Sequence, residues 1–219
     1  WESALPRVCP MTSRHLQCNS AGRIERLIAA DWALSGTLPL QLAMLEHLQH
    51  VDLSNNGLSG PIAVLGRLTR LTLLDLSSNA FATSLDSAGL ASLTDLQVLK
   101  LHSNAFNGAV PDVSALARLQ TLHLHRNSLS ARLPATWPQT LESCILSIHG
   151  ADAAERNCFT CPLPDALPRA CTATPVFAAS CADDCGSVHD EKAARSYIFN
   201  FTSDTPTMVP SFSLTRDAL

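Results

Sequence analysis

Hydrophobic and polar positions recur along the middle of the chain in the pattern L-x-x-L-x-L-x-x-N-x-[LF]. Full copies begin at Leu48, Leu71, Leu96 and Leu119, and degenerate copies begin at Ile24 and Leu141. The copies follow one another at intervals of 22–25 residues. A repeat of this length predicts a solenoid, in which each unit buries its apolar side chains against its neighbours.

The alternation x-L-x-L-x within each copy predicts a short strand, because successive side chains point to opposite faces of a sheet. The paired apolar side chains therefore point into a shared core, and strands of successive units pair in parallel about 4.8 Å apart. The inward positions are Val51 and Leu53, Leu74 and Leu76, Leu99 and Leu101, and Leu122 and Leu124.

An asparagine follows each full strand motif at the point where the chain turns inside the solenoid. A buried backbone group without a partner costs about 1–3 kcal/mol, and an amide side chain both donates and accepts hydrogen bonds. We therefore predict a structural ladder formed by Asn56, Asn79, Asn104 and Asn127.

The second half of several units resembles L-x-G-x-[IL]-P, at residues 35–39, 59–62 and 107–111. This pattern resembles the plant-type leucine-rich repeats of receptor-kinase ectodomains, receptor-like proteins and polygalacturonase inhibitors. The resemblance implies an α/β-type solenoid: a right-handed horseshoe of about six coils, with a parallel β-sheet on the concave face and disulfide-bonded caps.

The two ends of the chain extend this resemblance. Residues 9–24 look like the cysteine-bearing N-terminal cap of the family, and residues 157–164 resemble a C-terminal cap. The predicted organisation is an N-terminal cysteine cap at 1–23, repeats at 24–146, a cysteine-rich C-terminal cap at 147–185, and a tail or linker at 186–219.

All eight cysteines lie near the ends of the predicted solenoid, and residues 19–143 contain none. Disulfides that close the open ends of a solenoid indicate an oxidising compartment. Cys9 and Cys18 flank a loop short enough to close, so we predict that they pair. The pairing of the others is left open: Cys144, Cys158, Cys161, Cys171, Cys181 and Cys185. A zinc site formed by Cys158, Cys161, Cys181 and Cys185 is the less favoured alternative.

Composition excludes several classes of partner. The net charge is −4 and 16% of residues are charged, which gives no electrostatic case for nucleic acid or an anionic membrane. No apolar run approaches the length of about 18 residues that spans a bilayer. The chain begins at Trp1 and is interpreted as a mature or trimmed segment of an extracellular or cell-surface protein.

Side chains between and after the inward leucines should line the concave face. The early strands carry Asp52 and Asp75, and the later strands present a basic set: Lys100, His102, His123, His125 and Arg126. This predicts a recognition surface that runs from acidic to basic, with a plain solvated face as the alternative. The histidines should be neutral at pH 7 and positive below about 6.5; a metal site is less favoured, and no metal or cofactor is predicted.

A catalytic role is not expected. Asp75, Ser77 and His102 form a nominal triad, but the sequence has no strained nucleophile turn, and paired strands leave no backbone N–H for an oxyanion hole.

The predicted function is extracellular recognition of a peptide, protein loop or glycan on the concave face. A face of about 29 Å by 16 Å is smaller than the roughly 800 Å² that each partner buries in a stable protein interface. The alternatives are a secreted inhibitor of a hydrolase and a passive cell-surface or wall adhesion protein. In the tail, Asn200 is a predicted glycan acceptor, and residues 197–201 form either a strand or a linker.

Overall fold

The computed structural model describes residues 15–86, 88–146, 157–159, 164, 167–172, 197–200 and 207–210, the last two ranges as backbone only. The strands are β1 Leu16–Cys18, β2 Ile24–Ile28, β3 Ser35–Thr37, β4 His50–Asp52, β5 Gly57–Ser59, β6 Leu73–Asp75, β7 Val98–Lys100, β8 Asn107–Gly108, β9 Thr121–His123, β10 Ser128–Ala131, β11 Ser143–Ile145, β12 Cys158–Phe159, β13 Tyr197–Asn200 and β14 Thr207–Pro210. The helical segments are 3₁₀ helices at Leu40–Met44, Ala63–Arg67 and Leu90–Ser92, and an α-helix, α1, at Arg169–Thr172.

One seven-stranded sheet runs along the solenoid in the order β1-β2-β4-β6-β7-β9-β11. β1 is antiparallel to β2, and the following pairs are parallel. The register places one inward side chain from each unit in a single row: Leu27, Val51, Leu74, Leu99, Leu122 and Cys144. The predicted leucine-rich-repeat solenoid with a parallel sheet is therefore confirmed.

The other side of each unit is built from short 3₁₀ helices and small secondary sheets. The 3₁₀ helices each bury one leucine, at Leu42, Leu65 and Leu90. β3 pairs with β5 in parallel, and β10 lies between β8 and β12. A unit of 22–25 residues leaves only a few residues for the return path, so a single helical turn replaces a longer helix.

Each predicted ladder asparagine joins its own turn to the preceding unit. The Asn104 amide nitrogen donates to the carbonyl oxygens of Leu76 (2.9 Å) and Leu101 (3.2 Å), and its Oδ1 accepts from the backbone N–H of Phe81 (3.1 Å). Asn56, Asn79 and Asn127 bond in the same way. The backbone groups that the turns would leave buried thus have partners.

The ladder continues in Asn157, which the sequence analysis assigned to the C-terminal cap. Its Oδ1 accepts from the backbone N–H of Leu129 (2.9 Å), and its amide nitrogen donates to the carbonyl oxygens of Leu124 (2.8 Å) and Leu146 (2.6 Å). Asn157 is 1% exposed, and Phe159 beside it is equally buried. The last strand motif is therefore separated from its asparagine by an insertion that the repeat pattern does not reveal.

A disulfide between Cys144 and Cys171 ties α1 to the last strand of the large sheet. By the loop-entropy model, a closed loop of this size contributes roughly 3–4 kcal/mol of stability. Cys18 and Cys158 are also disulfide-bonded, so the zinc alternative is wrong for Cys158. Cys9, the predicted partner of Cys18, lies outside the described residues, as do Cys161, Cys181 and Cys185.

In the tail, β13 pairs with β14 in the antiparallel direction, so Tyr197–Asn200 is a strand rather than a linker. Asn200 ends β13, and the rest of its glycosylation motif lies outside the described residues. Across the described ranges, no helix combines the length and apolar character that a bilayer-spanning helix requires.

We predict that Asn104→Ala lowers the free energy of unfolding by about 2–3 kcal/mol, because the Phe81 N–H and the Leu76 carbonyl lose their partner. Asn107→Ala is the matched control, since Asn107 is exposed and, among the described residues, its amide nitrogen bonds the carbonyl oxygen of Ala82 alone. Its cost should stay below about 1 kcal/mol. Equal losses in urea unfolding would contradict the ladder account.

Candidate functional site

In each strand motif, one outward side chain lies between the two inward side chains. These outward side chains form a row across the sheet. Its members are Ile28, Asp52, Asp75, Lys100, His123 and Ile145. A second outward row follows just beyond the strand ends, and its described members are Ala30, Ser54, Ser77, His102 and His125. These two rows contain six of the seven predicted binding residues.

Both acidic residues of this face are bonded within their own turns. Asp75 Oδ1 accepts hydrogen bonds from the backbone N–H (3.0 Å) and the hydroxyl (2.6 Å) of Ser77. Asp52 accepts the same pair from Ser54, at 3.1 and 2.7 Å. Asp75 is 9% exposed. Short acidic side chains commonly bond the backbone two residues ahead in this way, so a large part of their bonding capacity is already used.

Lys100 does not extend a positive surface, because its Nζ lies 3.4 Å from Asp75 Oδ2. The two opposite charges meet near the centre of the face and largely cancel there. The acidic-to-basic gradient predicted from the sequence is therefore much weaker than expected.

His102, His123 and His125 form one group, which we call the histidine cluster. The His102 and His125 rings meet edge to face with centroids 4.5 Å apart. The His123 ring lies 6.1 Å from His102 and 6.0 Å from His125. His123 Nε2 lies 3.0 Å from the Ser143 hydroxyl. Among the described residues, the buried Nδ1 atoms of His102 and His125 have no hydrogen-bond partner.

Burial lowers the pKa of every histidine in the cluster. Desolvation is the largest cause at His102 and His123, and the pKa of His125 falls from 6.5 to about 4 for the same reason, with His102 and His123 adding to the effect. The imidazoles are therefore neutral at pH 7, and they gain protons below the expected 6.5, with His125 the most shifted of the three at about 4.

Arg126 lies in the turn after the strand rather than on the strand itself. The residue directly after each described member of the second outward row has left-handed backbone, at Asp31, Asn55, Ser78, Ser103 and Arg126. This conformation turns the chain so that the next side chain, usually the ladder asparagine, points inward. Arg126 is exposed at the margin of the face, and its charge helps to lower the pKa of His102 and His125.

A further outward row, which was not predicted from the sequence, lies one residue before the first inward position of each strand. The described members are Arg26, His50, Leu73, Val98, Thr121 and Ser143. Strand alternation applies in both directions from the inward leucine and could have identified this row. Arg26 Nε and His50 Nδ1 are buried without a hydrogen-bond partner among the described residues, and burial, followed by the Arg26 charge, lowers the pKa of His50.

Comparison with known proteins identifies the family. The model of the Leucine Rich Repeat family matches residues 47–68. The structure of the BIR3–SERK2 complex from Arabidopsis thaliana matches with 32% identity and a TM-score of 0.55, over 58% of this chain and 70% of that chain. The chain belongs to the plant-type leucine-rich-repeat proteins.

Two further structures support this family assignment. The leucine-rich-repeat ectodomain of the receptor kinase SOBIR1 from Arabidopsis thaliana matches with 28% identity and a TM-score of 0.53, over 57% of this chain and 74% of that chain. The structure of PEPR1–AtPEP1 matches with 27% identity and a TM-score of 0.54, over 73% of this chain and 25% of that chain. This leucine-rich-repeat protein therefore shares its fold with receptor ectodomains.

The nominal triad of this leucine-rich-repeat protein does not have the arrangement that nucleophilic catalysis needs. The Ser77 hydroxyl donates to Asp75, whereas a triad requires the serine to face the histidine and the acid to orient that histidine. In the described part of the chain, no group of three or more His, Cys, Asp or Glu side chains could hold a metal ion.

The lowered histidine pKa values make the stability of this leucine-rich-repeat protein depend on pH. Between pH 6.5 and about 4 the unfolded state binds more protons than the folded state, so stability should fall as pH decreases through this window. The His102→Gln/His123→Gln/His125→Gln variant should lose less stability between pH 7 and 4.5 than the wild type, as measured by thermal unfolding. Parallel losses would show that the cluster is not protonated with this penalty.

Proposed function

We propose that this protein is an extracellular recognition module that binds an extended peptide or protein loop on its concave face, with the histidine cluster as the central contact. One observation carries the proposal: half-buried imidazoles lie together on an open sheet face, and two of their buried nitrogens have no partner among the described residues. The extracellular location is supported by the similarity to receptor ectodomains.

The hydrogen-bonding chemistry of the cluster favours a peptide. A buried nitrogen without a partner costs about 1–3 kcal/mol, and a ligand that supplies the partner removes this cost. Each neutral imidazole offers one donor and one acceptor, and a peptide amide offers the same pair. Because the histidine pKa values are lowered and Lys100 is paired with Asp75, the surface offers little attraction for a polyanionic glycan.

The dimensions of the face agree with an extended chain. A sheet about 29 Å long corresponds to about nine residues of extended peptide. A folded partner would have to use further surface to reach the roughly 800 Å² of a stable interface. The similarity to a complex of two proteins, BIR3 and SERK2, supports a protein segment as the ligand.

The test is selection of binders from a displayed library of random peptides of about nine residues at pH 7. The combined variant His102→Ala/His123→Ala/His125→Ala should weaken the selected peptides at least about tenfold, as truncation of central contacts commonly does. The control Thr94→Ala/Arg118→Ala removes two exposed side chains outside the outward rows and should change affinity less than about twofold. Uncharged peptides should also bind more weakly as pH falls toward 4, because protonation removes the imidazole acceptors.

Three results would contradict this function. Equal affinity for the wild type and the histidine variant would remove the cluster from the interface. Selection only of acidic peptides whose affinity rises steadily as pH falls would indicate simple charge attraction. The absence of any saturable ligand would favour the passive adhesion alternative.

A further inference from the structure

A cleft of about 580 Å³ lies away from the histidine cluster, on the side of the solenoid that carries the 3₁₀ helices. We call it the flank cleft. It is bounded by the first two 3₁₀ helices, Leu40–Met44 and Ala63–Arg67, and by the residues that follow them. Its lining consists of Leu40, Ala43, Met44, Glu46, Arg67, Thr69 and Arg70.

Two large apolar side chains of the flank cleft point into solvent. Leu40 is 80% exposed and Met44 is 77% exposed, and no other large hydrophobic side chain among the described residues is as exposed. Leu42, on the same 3₁₀ helix, is the side chain that this helix buries in the core. Leu40 and Met44 therefore contribute little to core packing. Exposed apolar groups clustered beside a cleft are typical of surfaces that bind another molecule.

The basic groups beside these apolar side chains lack an acidic partner. In the described part of the chain, the ion pairs are Lys100–Asp75 and Arg118–Asp95, so Arg67 and Arg70 enter none. Arg70 Nη1 lies 3.2 Å from His47 Nδ1. With Glu46 as the one acid in the lining, the cleft presents an excess of positive charge around an apolar centre.

We propose that the flank cleft docks a short segment of a partner protein in which a large apolar side chain lies close to a carboxylate. The apolar side chain packs between Leu40 and Met44, and the carboxylate meets the guanidinium groups of Arg67 and Arg70. Planar guanidinium groups bind carboxylates with two parallel hydrogen bonds. The site is separate from the concave face, so one molecule of this protein can contact two partners at once.

Other occupants fit the flank cleft less well. A small molecule would leave Leu40 and Met44 largely in water, whereas ligand pockets bury most of their ligand. Binding to an anionic membrane commonly uses four to eight clustered basic residues, and this cleft has two beside an acid. A second copy of the chain would have to present an exposed acidic and apolar segment to this cleft.

The test uses the full chain and two synthetic hexapeptide libraries. Each peptide of the first library contains one Leu, Phe or Trp within two residues of one Asp or Glu; the second library replaces the acid with Asn or Gln. The variants are Leu40→Ser/Met44→Ser and Arg67→Gln/Arg70→Gln, and Arg118→Gln is the control for loss of an exposed positive charge outside the cleft. All of the substituted side chains are exposed. Each variant should therefore fold, and thermal unfolding checks this.

We expect acidic peptides to bind the wild type and the Arg118→Gln control, and to lose at least about tenfold in affinity on either double variant. Amide peptides should bind more weakly, and added salt should weaken the acidic peptides selectively. Binding should persist in the His102→Ala/His123→Ala/His125→Ala variant, which separates this proposal from the concave-face function.

Several outcomes would overturn the proposal. These are the absence of acidic binders, equal binding of acidic and amide peptides, and equal losses in the Arg118→Gln control. Self-association that Leu40→Ser/Met44→Ser abolishes would identify a second copy as the occupant. Binding to phosphatidylserine vesicles that Arg67→Gln/Arg70→Gln abolishes, without any peptide binding, would identify a membrane.

Discussion

The hydrogen bonds of the ladder asparagines are the interaction on which the rest of this structure depends. Each amide bonds its own turn and the turn of the unit before it, as Asn127 does with Leu124 and Leu101. The leucine rows behind the sheet would tolerate small shifts between units, because apolar packing has little directionality. A bond between specific backbone groups has direction, so the ladder sets the position of each unit relative to the next.

This fixed position is what makes the concave face a surface with defined chemistry. Because adjacent units are held in register, Asp75 lies opposite Lys100, and Lys100 lies opposite His123. The acid pairs with the lysine and with Ser77, which leaves the histidine cluster as the part of the face with unused hydrogen-bonding groups. The same solenoid exposes Leu40 and Met44 at the flank cleft, on its other side. A ligand on the concave face therefore leaves the flank cleft accessible.

Features that depend on repeat period were predictable from the sequence. The strand positions, the inward leucines and the four regular asparagines all follow from a pattern that recurs at fixed spacing. Asn157 was not placed in the ladder, because an insertion separates it from the strand motif it serves. Arg126 was placed on the strand face because the residue directly after His125 was also counted as outward, although it lies in a turn with left-handed backbone.

Features that depend on contacts between units were less predictable. The sequence shows that Lys100 and Asp75 are near each other, but not that their side chains form an ion pair with a 3.4 Å contact. The acidity of a histidine depends on its burial, which a residue list does not contain, so the pKa of His125 was expected near 6.5 rather than about 4. The flank cleft arises from two 3₁₀ helices in neighbouring units, and no motif marks it.

The most direct test of the site is an NMR pH titration of the histidine side chains in the intact protein, with resonances assigned through single His→Gln variants. The account predicts that His102, His123 and His125 are neutral at pH 7 and titrate below 6.5, with His125 near pH 4. Titration of all three at or above pH 6.5 would show that the imidazoles are solvated or paired. It would contradict a neutral, half-buried cluster that is ready to bond a peptide.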